Sequence, residues 1–316
     1  MRLVSISVLA AVAFASSVQA QTFPDGEIEI IVNYGSGGAV DRTARSVQRF
    51  LPDALGQNVV VENIGGAGGR LGIEAYLERP ADGYHVLTSF APATTYVATT
   101  NPDLFGLDDL AVINVQWIDP AILVARNDRG WGSLDDAIAA IEAEPGRYTF
   151  GSSGATSVGH VLAMNLFDEL GLDVRVVPYE GGGATRAAFL AGEVDMTAAG
   201  VQGALRVQEE ATPIALFWDS PVDVWPEAVP VNSALGDDAS VEIGGAYRFH
   251  AVHASVAEEY PERFEALVEA FRQTTLENDE FIAFADETNV GRDWRGPEAS
   301  TELLEQVESS FSVMFQ

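Results

Sequence analysis

The chain has 316 residues, and its 47 acidic and 17 basic residues give a formal net charge of −30, with no cysteine. A surface this acidic repels nucleic acid and anionic lipid, so we expect neither as a partner. The length fits two domains, and the lack of cysteine excludes disulfide bonds and thiolate metal sites.

Residues 1–20 have the pattern of a secretory signal peptide. Arg2 precedes an almost wholly apolar run, and Val18, Gln19 and Ala20 form a small-x-small cleavage site. The run is too short for a comfortable membrane span, and no cysteine is present to carry a lipid. We therefore expect cleavage after Ala20 and a periplasmic protein without direct membrane insertion. An uncleaved anchor is the alternative.

The first third of the mature chain alternates strands and helices. Short apolar runs predict strands at residues 28–32, 58–62 and 84–89. A glycine-rich turn at residues 35–38 leads into a helix that opens near Asp41, and a second such turn precedes a helix at 73–78. This alternation predicts an α/β fold with a parallel sheet.

The rest of the chain repeats the same order of elements. Strands are predicted at residues 121–125, 148–150, 174–177, 193–197, 213–218 and 247–254. Helices are predicted at residues 134–144, 158–170 and 184–191, and two acid-rich amphipathic helices at 258–277 and 299–315. Two such α/β units joined by crossing segments predict a cleft that turns from both units face.

Besides the turn before the helix at 73–78, three small-residue turns follow strands and precede helices, at residues 35–38, 151–157 and 178–183. A bare turn at a helix N-terminus presents backbone N–H groups and a partial positive charge, which together bind anions. We predict that the N–H groups of residues 36–39 and 155–157 hold a carboxylate, and that nearby serine and threonine hydroxyls add donors. One such turn alone is equally explained as a tight connection without a ligand.

Ordered sequence segments carry a family resemblance over more than half of the chain. They are GGAVD at 37–41 with Arg45, LGQNVVVEN at 55–63, GAGG at 66–69 with Gly72, DGY at 82–84, GSSG at 151–154 with His160, VPYEG at 177–181 and GEVD at 192–195. In these segments the chain resembles the solute-binding proteins of tripartite tricarboxylate transporters, the Bug family. Ser36 stands where that family usually has proline.

The resemblance implies a type II periplasmic binding protein fold, with two α/β lobes, a hinge and a ligand cleft between them. The first lobe would comprise residues 21–124 and 249–316, and the second lobe residues 125–248. A small organic carboxylate would bind in the cleft, and the closed protein, a monomer without cofactor or metal, would dock on the membrane permease subunits.

The predicted site combines the turns with the resemblance. Tyr34 and Phe90 are expected to wall the carbon skeleton of the ligand, Asp41 to cap its helix, and His160 to be either structural or in contact with the ligand. The predicted ligand-binding residues are Tyr34, Ser36, Gly37, Gly38, Ala39, Asp41, Ser89, Phe90, Ala91, Ser152, Ser153, Gly154, Ala155, Thr156, Ser157, His160, Tyr179, Gly181, Gly182, Thr197 and Ala198.

Other functions compete with solute binding. Gly151, Ser153 and Ala155 come close to the nucleophile elbow of a serine hydrolase, with Asp195 and either His250 or His253 as formal partners. The final small residue is alanine rather than glycine, so we expect no enzyme. A sensor subunit that reports the ligand to a membrane kinase is compatible with the same site.

The sequence leaves the ligand open. No arginine stands out as an anchor, so the distal end of the ligand is undefined, and dicarboxylates, tricarboxylates and aromatic carboxylates are all compatible. The acidic surface also repels anions at long range. We hypothesise a saline habitat, because a Debye length of ~3 Å at 1 M salt removes that repulsion.

Overall fold

Parallel strands alternate with helices in the first lobe of the computed structural model, which describes residues 23–237 and 239–315. The predicted signal peptide lies outside the described residues. The elements in order are β1 (Ile28–Val32), α1 (Ala39–Gln48), α2 (Leu51–Leu55), β2 (Val59–Asn63), α3 (Arg70–Leu77), β3 (His85–Ala91) and α4 (Ala93–Thr100). β1 pairs in parallel with both β2 and β3, as the alternation predicts.

A long strand, β4 (Leu110–Arg126), leads into the second lobe. The second lobe contains α5 (Leu134–Ala143), β5 (Thr149–Ser152), α6 (Val158–Glu169), β6 (Arg175–Pro178), α7 (Gly181–Ala191), β7 (Met196–Gly200), α8 (Val201–Ala204), β8 (Ala211–Phe217) and α9 (Val231–Leu235). β5 pairs in parallel with β6 and β7. Ser133 caps α5 by accepting a hydrogen bond from the Asp136 N–H at 3.2 Å.

The chain then returns to the first lobe through β9 (Gly245–His253), α10 (Ala254–Glu259), α11 (Pro261–Glu277), α12 (Asp279–Thr288) and α13 (Gly296–Ser312). As predicted, the long C-terminal helices pack on the first lobe: α11 contacts α2, and α13 contacts β4 and α4. The predicted helix at 258–277 is divided before Pro261, because proline cannot continue a helix that begins upstream. No described helix is long and apolar enough to cross a membrane.

β4 connects the sheets of the two lobes. Its residues 110–120 pair antiparallel with β9, and its residues 121–126 pair antiparallel with β7 and β8. The strands follow the order β2-β1-β3-β9-β4-β7-β5-β6, with β8 on β4. The pairing therefore changes lobes between Pro120 and Ala121, while the lobe boundaries at residues 124 and 248 stay predictions.

Only the second part of β4 was predicted from the sequence. Its first part contains buried polar residues that break the apolar run, and each has partners from distant segments. Asn114 donates to the Asp293 carbonyl at 2.8 Å, and Gln116 donates to the Gly291 carbonyl at 2.9 Å. These hydrogen bonds make the polar residues compatible with a central strand, which no local pattern reveals.

Candidate functional site

A cavity of about 450 Å³ lies between the two lobes. The first lobe lines it with the turn after β1, the start of α1 and Phe90, and the second lobe lines it with the turn after β5 and the N-terminal ends of α6 and α7. Cavities of this size hold small molecules. The predicted turns from opposite halves of the chain thus face one cavity.

Asp41 fixes the turn between β1 and α1. Gly37 adopts a φ of +82°, and its N–H donates to Asp41 Oδ2 at 2.8 Å. Arg45 Nε donates to Asp41 Oδ1 at 2.9 Å, and the Asp41 residue is only 3% exposed. The N–H of Gly37 is therefore occupied, contrary to the prediction that it binds a ligand. The N–H groups in the first turn of α1, at Ala39 and Val40, have no intrahelical acceptor and are the available donors.

The turn after β5 is held by its own hydroxyls. The Ser157 hydroxyl donates to the Gly154 carbonyl at 2.8 Å and accepts from the His160 N–H at 3.3 Å, so it caps α6. Ser152 is buried and accepts from the Gly154 N–H at 3.2 Å. The hydroxyls of Ser152 and Ser157 thus already have partners within the turn. Ser153 and Thr156 line the cavity.

The third predicted turn is largely helical. Gly181, Gly182 and Gly183 form the first turn of α7 and line the cavity. We predicted a bare turn there because three consecutive glycines disfavour a helix. A helix N-terminus presents unpaired N–H groups as a turn does, so the site gains the partial positive charge of a third helix beside those of α1 and α6.

Tyr34 and Phe90 form an aromatic side of the cavity, with ring centroids 5.2 Å apart. The Tyr34 hydroxyl donates to the Gly68 carbonyl at 2.8 Å, and burial raises the pKa of Tyr34. Thr156 of the second lobe reaches the same place, because a Cβ added at Gly68 would lie 3.0 Å from the Thr156 methyl group. The two lobes therefore touch beside the aromatic pair.

About half of the predicted site residues line this cavity. Those that line it are Tyr34, Gly37, Gly38, Ala39, Phe90, Ser153, Thr156, Ser157, Gly181 and Gly182. Those that do not are Ser36, Asp41, Ser89, Ala91, Ser152, Gly154, Ala155, His160, Tyr179, Thr197 and Ala198.

Residues that miss the cavity have identifiable positions elsewhere. Ser89 and Ala91 are buried where β3 pairs with β9, and the Tyr179 hydroxyl donates to Glu193 at 3.3 Å. Thr197 and Ala198 line a side pocket of about 80 Å³ that shares several residues with the main cavity. His160 is half-buried, and burial lowers its pKa.

Four arginines line the cavity, which the sequence reasoning missed. They are Arg42, Arg186, Arg206 and Arg248, accompanied by a single acid, Asp119. The structure therefore offers arginines as anchors that did not stand out in the sequence. Helical spacing carried a usable signal: Arg42 follows Ala39 by three residues in α1, and Arg186 follows Gly182 by four in α7, so each shares a face with its helix N-terminus.

Arg248 and Asp119 lie where the lobes meet. Arg248 is 5% exposed, its Nη2 lies 3.3 Å from Asp119 Oδ2, and its Cζ lies 4.1 Å from the Trp117 ring centroid. Burial lowers the pKa of Arg248, and the Asp119 carboxylate opposes that shift. Asp119 also accepts from the Gln202 N–H of α8 at 3.1 Å. The pair thus ties the two crossing strands to the second lobe.

The serine hydrolase alternative requires Ser153 to pair with a histidine. In the described part of the chain, Ser153 has no hydrogen bond to a histidine. Both ring nitrogens of His250 are occupied, by Thr88 Oγ1 at 2.8 Å and Gln116 Oε1 at 2.7 Å. Among the described residues there is also no group of three His, Asp or Glu side chains that would hold a metal ion.

Comparison with known proteins places the chain in a family. Residues 43–211, just over half of the chain, match the family described as "Tripartite tricarboxylate transporter family receptor". The chain belongs to this family. The family resemblance predicted from the ordered segments is thus confirmed.

A curated relative supports the same assignment. Protein BugT of Bordetella pertussis strain Tohama I is 34% identical over 189 residues, which are 59% of this chain and 58% of that protein. The chain thus matches less than two thirds of the length of this relative.

Solved structures confirm the two-lobed periplasmic binding protein fold that the sequence predicts for this chain. MatC from Rhodopseudomonas palustris, solved with bound malate, has a TM-score of 0.76 at 19% identity and covers 93% of this chain and 100% of its own. A second R. palustris protein, solved with adipate, has a TM-score of 0.74 at 20% identity and covers 92% and 97%. At such identities the likeness concerns the fold.

Proposed function

We propose that this chain is a periplasmic solute-binding protein that captures a small organic carboxylate between its lobes. It delivers the ligand to the membrane permease subunits of a tripartite tricarboxylate-type transporter, acts as a monomer and catalyses no reaction. The observation that carries the proposal is that helix N-termini from opposite lobes, those of α1 and α6, line one cavity. Membership in the transporter receptor family supports it, as do fold relatives that hold malate and adipate.

The proposed contacts follow from the cavity lining. The N–H groups of Ala39 and Val40 and those at the start of α6 and α7 bind carboxylate oxygens, and Ser153 and Thr156 add hydroxyls. Tyr34 and Phe90 pack on the carbon skeleton of the ligand. The lobes hinge where β4 changes partners, and the signal peptide of residues 1–20 directs the chain to the periplasm.

Thermal-shift screening tests the function. The panel contains malate, adipate, citrate and benzoate, with glucose and maltose as neutral controls. A carboxylate at 100 times its dissociation constant stabilises the folded protein by ~2.7 kcal/mol. A melting point that sugars raise and no carboxylate raises would contradict the proposal.

One substitution tests the backbone contact itself. Ala39 is the first residue of α1, after an extended Gly38, so proline fits there and removes only one N–H group. Ala39→Pro should weaken carboxylate binding by ~10-fold while the unliganded protein keeps its melting point. Asp279→Pro, at the exposed first residue of α12, is the matched control and should leave binding unchanged. Equal affinities of the two variants would exclude this contact.

A further inference from the structure

The cavity reverses the charge of the protein. The chain carries a formal net charge of −30, but four arginines and one aspartate line this space. Arg42, Arg186 and Arg206 make no ion pair and no side-chain hydrogen bond within the described ranges, 23–237 and 239–315. Elsewhere on α1, Arg45 finds Asp41 at 2.9 Å. Although the chain has 47 acids, Asp119 is the one acid among the described residues that line this cavity.

The unpaired arginines come from both lobes. Arg42 lies on α1 of the first lobe, whereas Arg186 lies on α7 and Arg206 lies in the short 3₁₀ helix after α8, both in the second lobe. Arg42 and Arg206 line the same cavity, and the positive charge of Arg206 adds to burial in lowering the pKa of Arg42, while the Asp119 carboxylate opposes that shift. Like charges that face each other across a cleft oppose its closure.

Arg248 adds a buried cation whose hydrogen bonding is incomplete. Its Nε and Nη1 atoms are buried without a partner, although the residue is 5% exposed and lines the cavity. The Trp117 ring packs against both guanidinium groups. Its centroid lies 4.1 Å from Arg248 Cζ and 5.3 Å from Arg42 Cζ. A buried cation with unsatisfied donors destabilises the protein unless an anion completes its partners.

We propose that Arg42, Arg186 and Arg206, backed by Arg248, form a second anion subsite, so that the ligand carries at least two carboxylates. This inference rests on the proposed function. One carboxylate binds the helix N-termini, and the other binds guanidinium groups, whose planar donors suit two carboxylate oxygens. Because the arginines belong to both lobes, the second carboxylate removes their mutual repulsion and so stabilises the closed cleft. A monocarboxylate leaves the repulsion in place.

Calorimetric titration with paired probes tests the subsite. The pairs are succinate with butyrate, glutarate with pentanoate, and adipate with hexanoate, which share a chain length and differ by one carboxylate. We expect the best diacid to bind ~10- to 150-fold more tightly than its monoacid, since a hydrogen-bonded charged group contributes ~1.5–3 kcal/mol. Inorganic phosphate serves as the probe for a compact anion.

Substitutions locate the effect. Arg186→Gln, at a partly exposed position, and Arg206→Gln, at an exposed one, should each reduce the affinity for a diacid relative to its monoacid by ~10-fold. Arg175→Gln is the matched control, because Arg175 is exposed in the same lobe, makes no ion pair with a described residue and does not line the cavity. Melting points of the unliganded variants verify that they fold.

The outcomes separate the subsite from the function. Equal affinity of wild type for diacids and monoacids, or cavity variants that behave like Arg175→Gln, would overturn the subsite while carboxylate binding stands. Phosphate that binds more tightly than every diacid would overturn the ligand class. Failure of every carboxylate to bind would overturn the subsite together with the proposed function.

Discussion

Lowering the pH should destabilise this protein through one buried histidine. His250 lies in the centre of the first lobe with no exposed surface, and its ring nitrogens contact Thr88 Oγ1 at 2.8 Å and Gln116 Oε1 at 2.7 Å. Because Gln116 uses its amide nitrogen to donate to the Gly291 carbonyl, its Oε1 is an acceptor and His250 Nε2 carries the proton. The structure thus holds a neutral imidazole, and burial lowers the pKa of His250 to about 3.

The size of the effect follows from linkage. His250 is protonated near pH 6.5 in the unfolded chain and near pH 3 in the native protein. This pKa difference of roughly 3.5 units corresponds to at most ~5 kcal/mol in the free energy of unfolding. The stability associated with the neutral His250 is fully present above pH 6.5. It is lost progressively as the pH falls towards 3, because only the unfolded state binds the proton in that interval. At pH 5 the loss is ~2 kcal/mol.

Urea unfolding at pH 5 and pH 8 measures this loss. Other groups also titrate, so the informative quantity is the difference in unfolding free energy between wild type and His250→Gln. That difference should shrink by ~2 kcal/mol from pH 8 to pH 5. Thr88→Val is the control, because it removes a hydrogen bond and keeps the imidazole and its pH dependence. A wild-type-minus-variant difference that stays constant with pH would refute the buried neutral histidine.

Three further predictions follow from the structure and the charge. Gly159→Ala should destabilise the protein by ~2–3 kcal/mol in urea unfolding, since its Cβ would lie 2.3 Å from the Ala198 carbonyl oxygen, whereas Gly106→Ala meets nothing within 4 Å and should change little. Asp41→Ala leaves the Gly37 N–H without its acceptor, so it should lower the free energy of unfolding by ~1.5–3 kcal/mol and also weaken carboxylate binding. An unchanged affinity would mean that the turn keeps its shape without Asp41. Raising NaCl from 0.1 to 1 M should raise the melting point, because the Debye length falls to ~3 Å; a melting point indifferent to salt would contradict the saline-habitat hypothesis.

The sequence predicts the alternating elements well because each leaves a local pattern. β1 is an apolar run and α5 begins at a serine cap, and both lie where the pattern places them. α4 was missed because its sequence, rich in threonine and alanine, has no helical stripe of apolar residues. The prediction for α7 was too short because its first turn consists of glycine. Glycine disfavours a helix, and here only the surrounding fold makes it helical.

In the candidate site, too, only the features with a local sequence pattern were predictable. The turns were predictable because small residues after a strand are a local feature of the chain. The arginines were not, because Arg42, Arg186 and Arg206 lie far apart in the sequence and converge only after both lobes fold. Nor does the sequence show which hydroxyls are already used. Ser157 caps a helix and Ser153 faces the cavity, although both occur in one short turn.

The position of β9 in the sheet sets an order for folding. β9 lies between β3 and β4, yet it follows the whole second lobe in the chain. The second lobe has its own strands and helices by residue 235, while the first lobe still lacks a central strand. Closing the first-lobe sheet therefore requires a contact between β3 and β9 across more than a hundred residues, which is entropically slow. The first lobe thus begins to emerge first during synthesis but can complete its sheet only after the second lobe has been made.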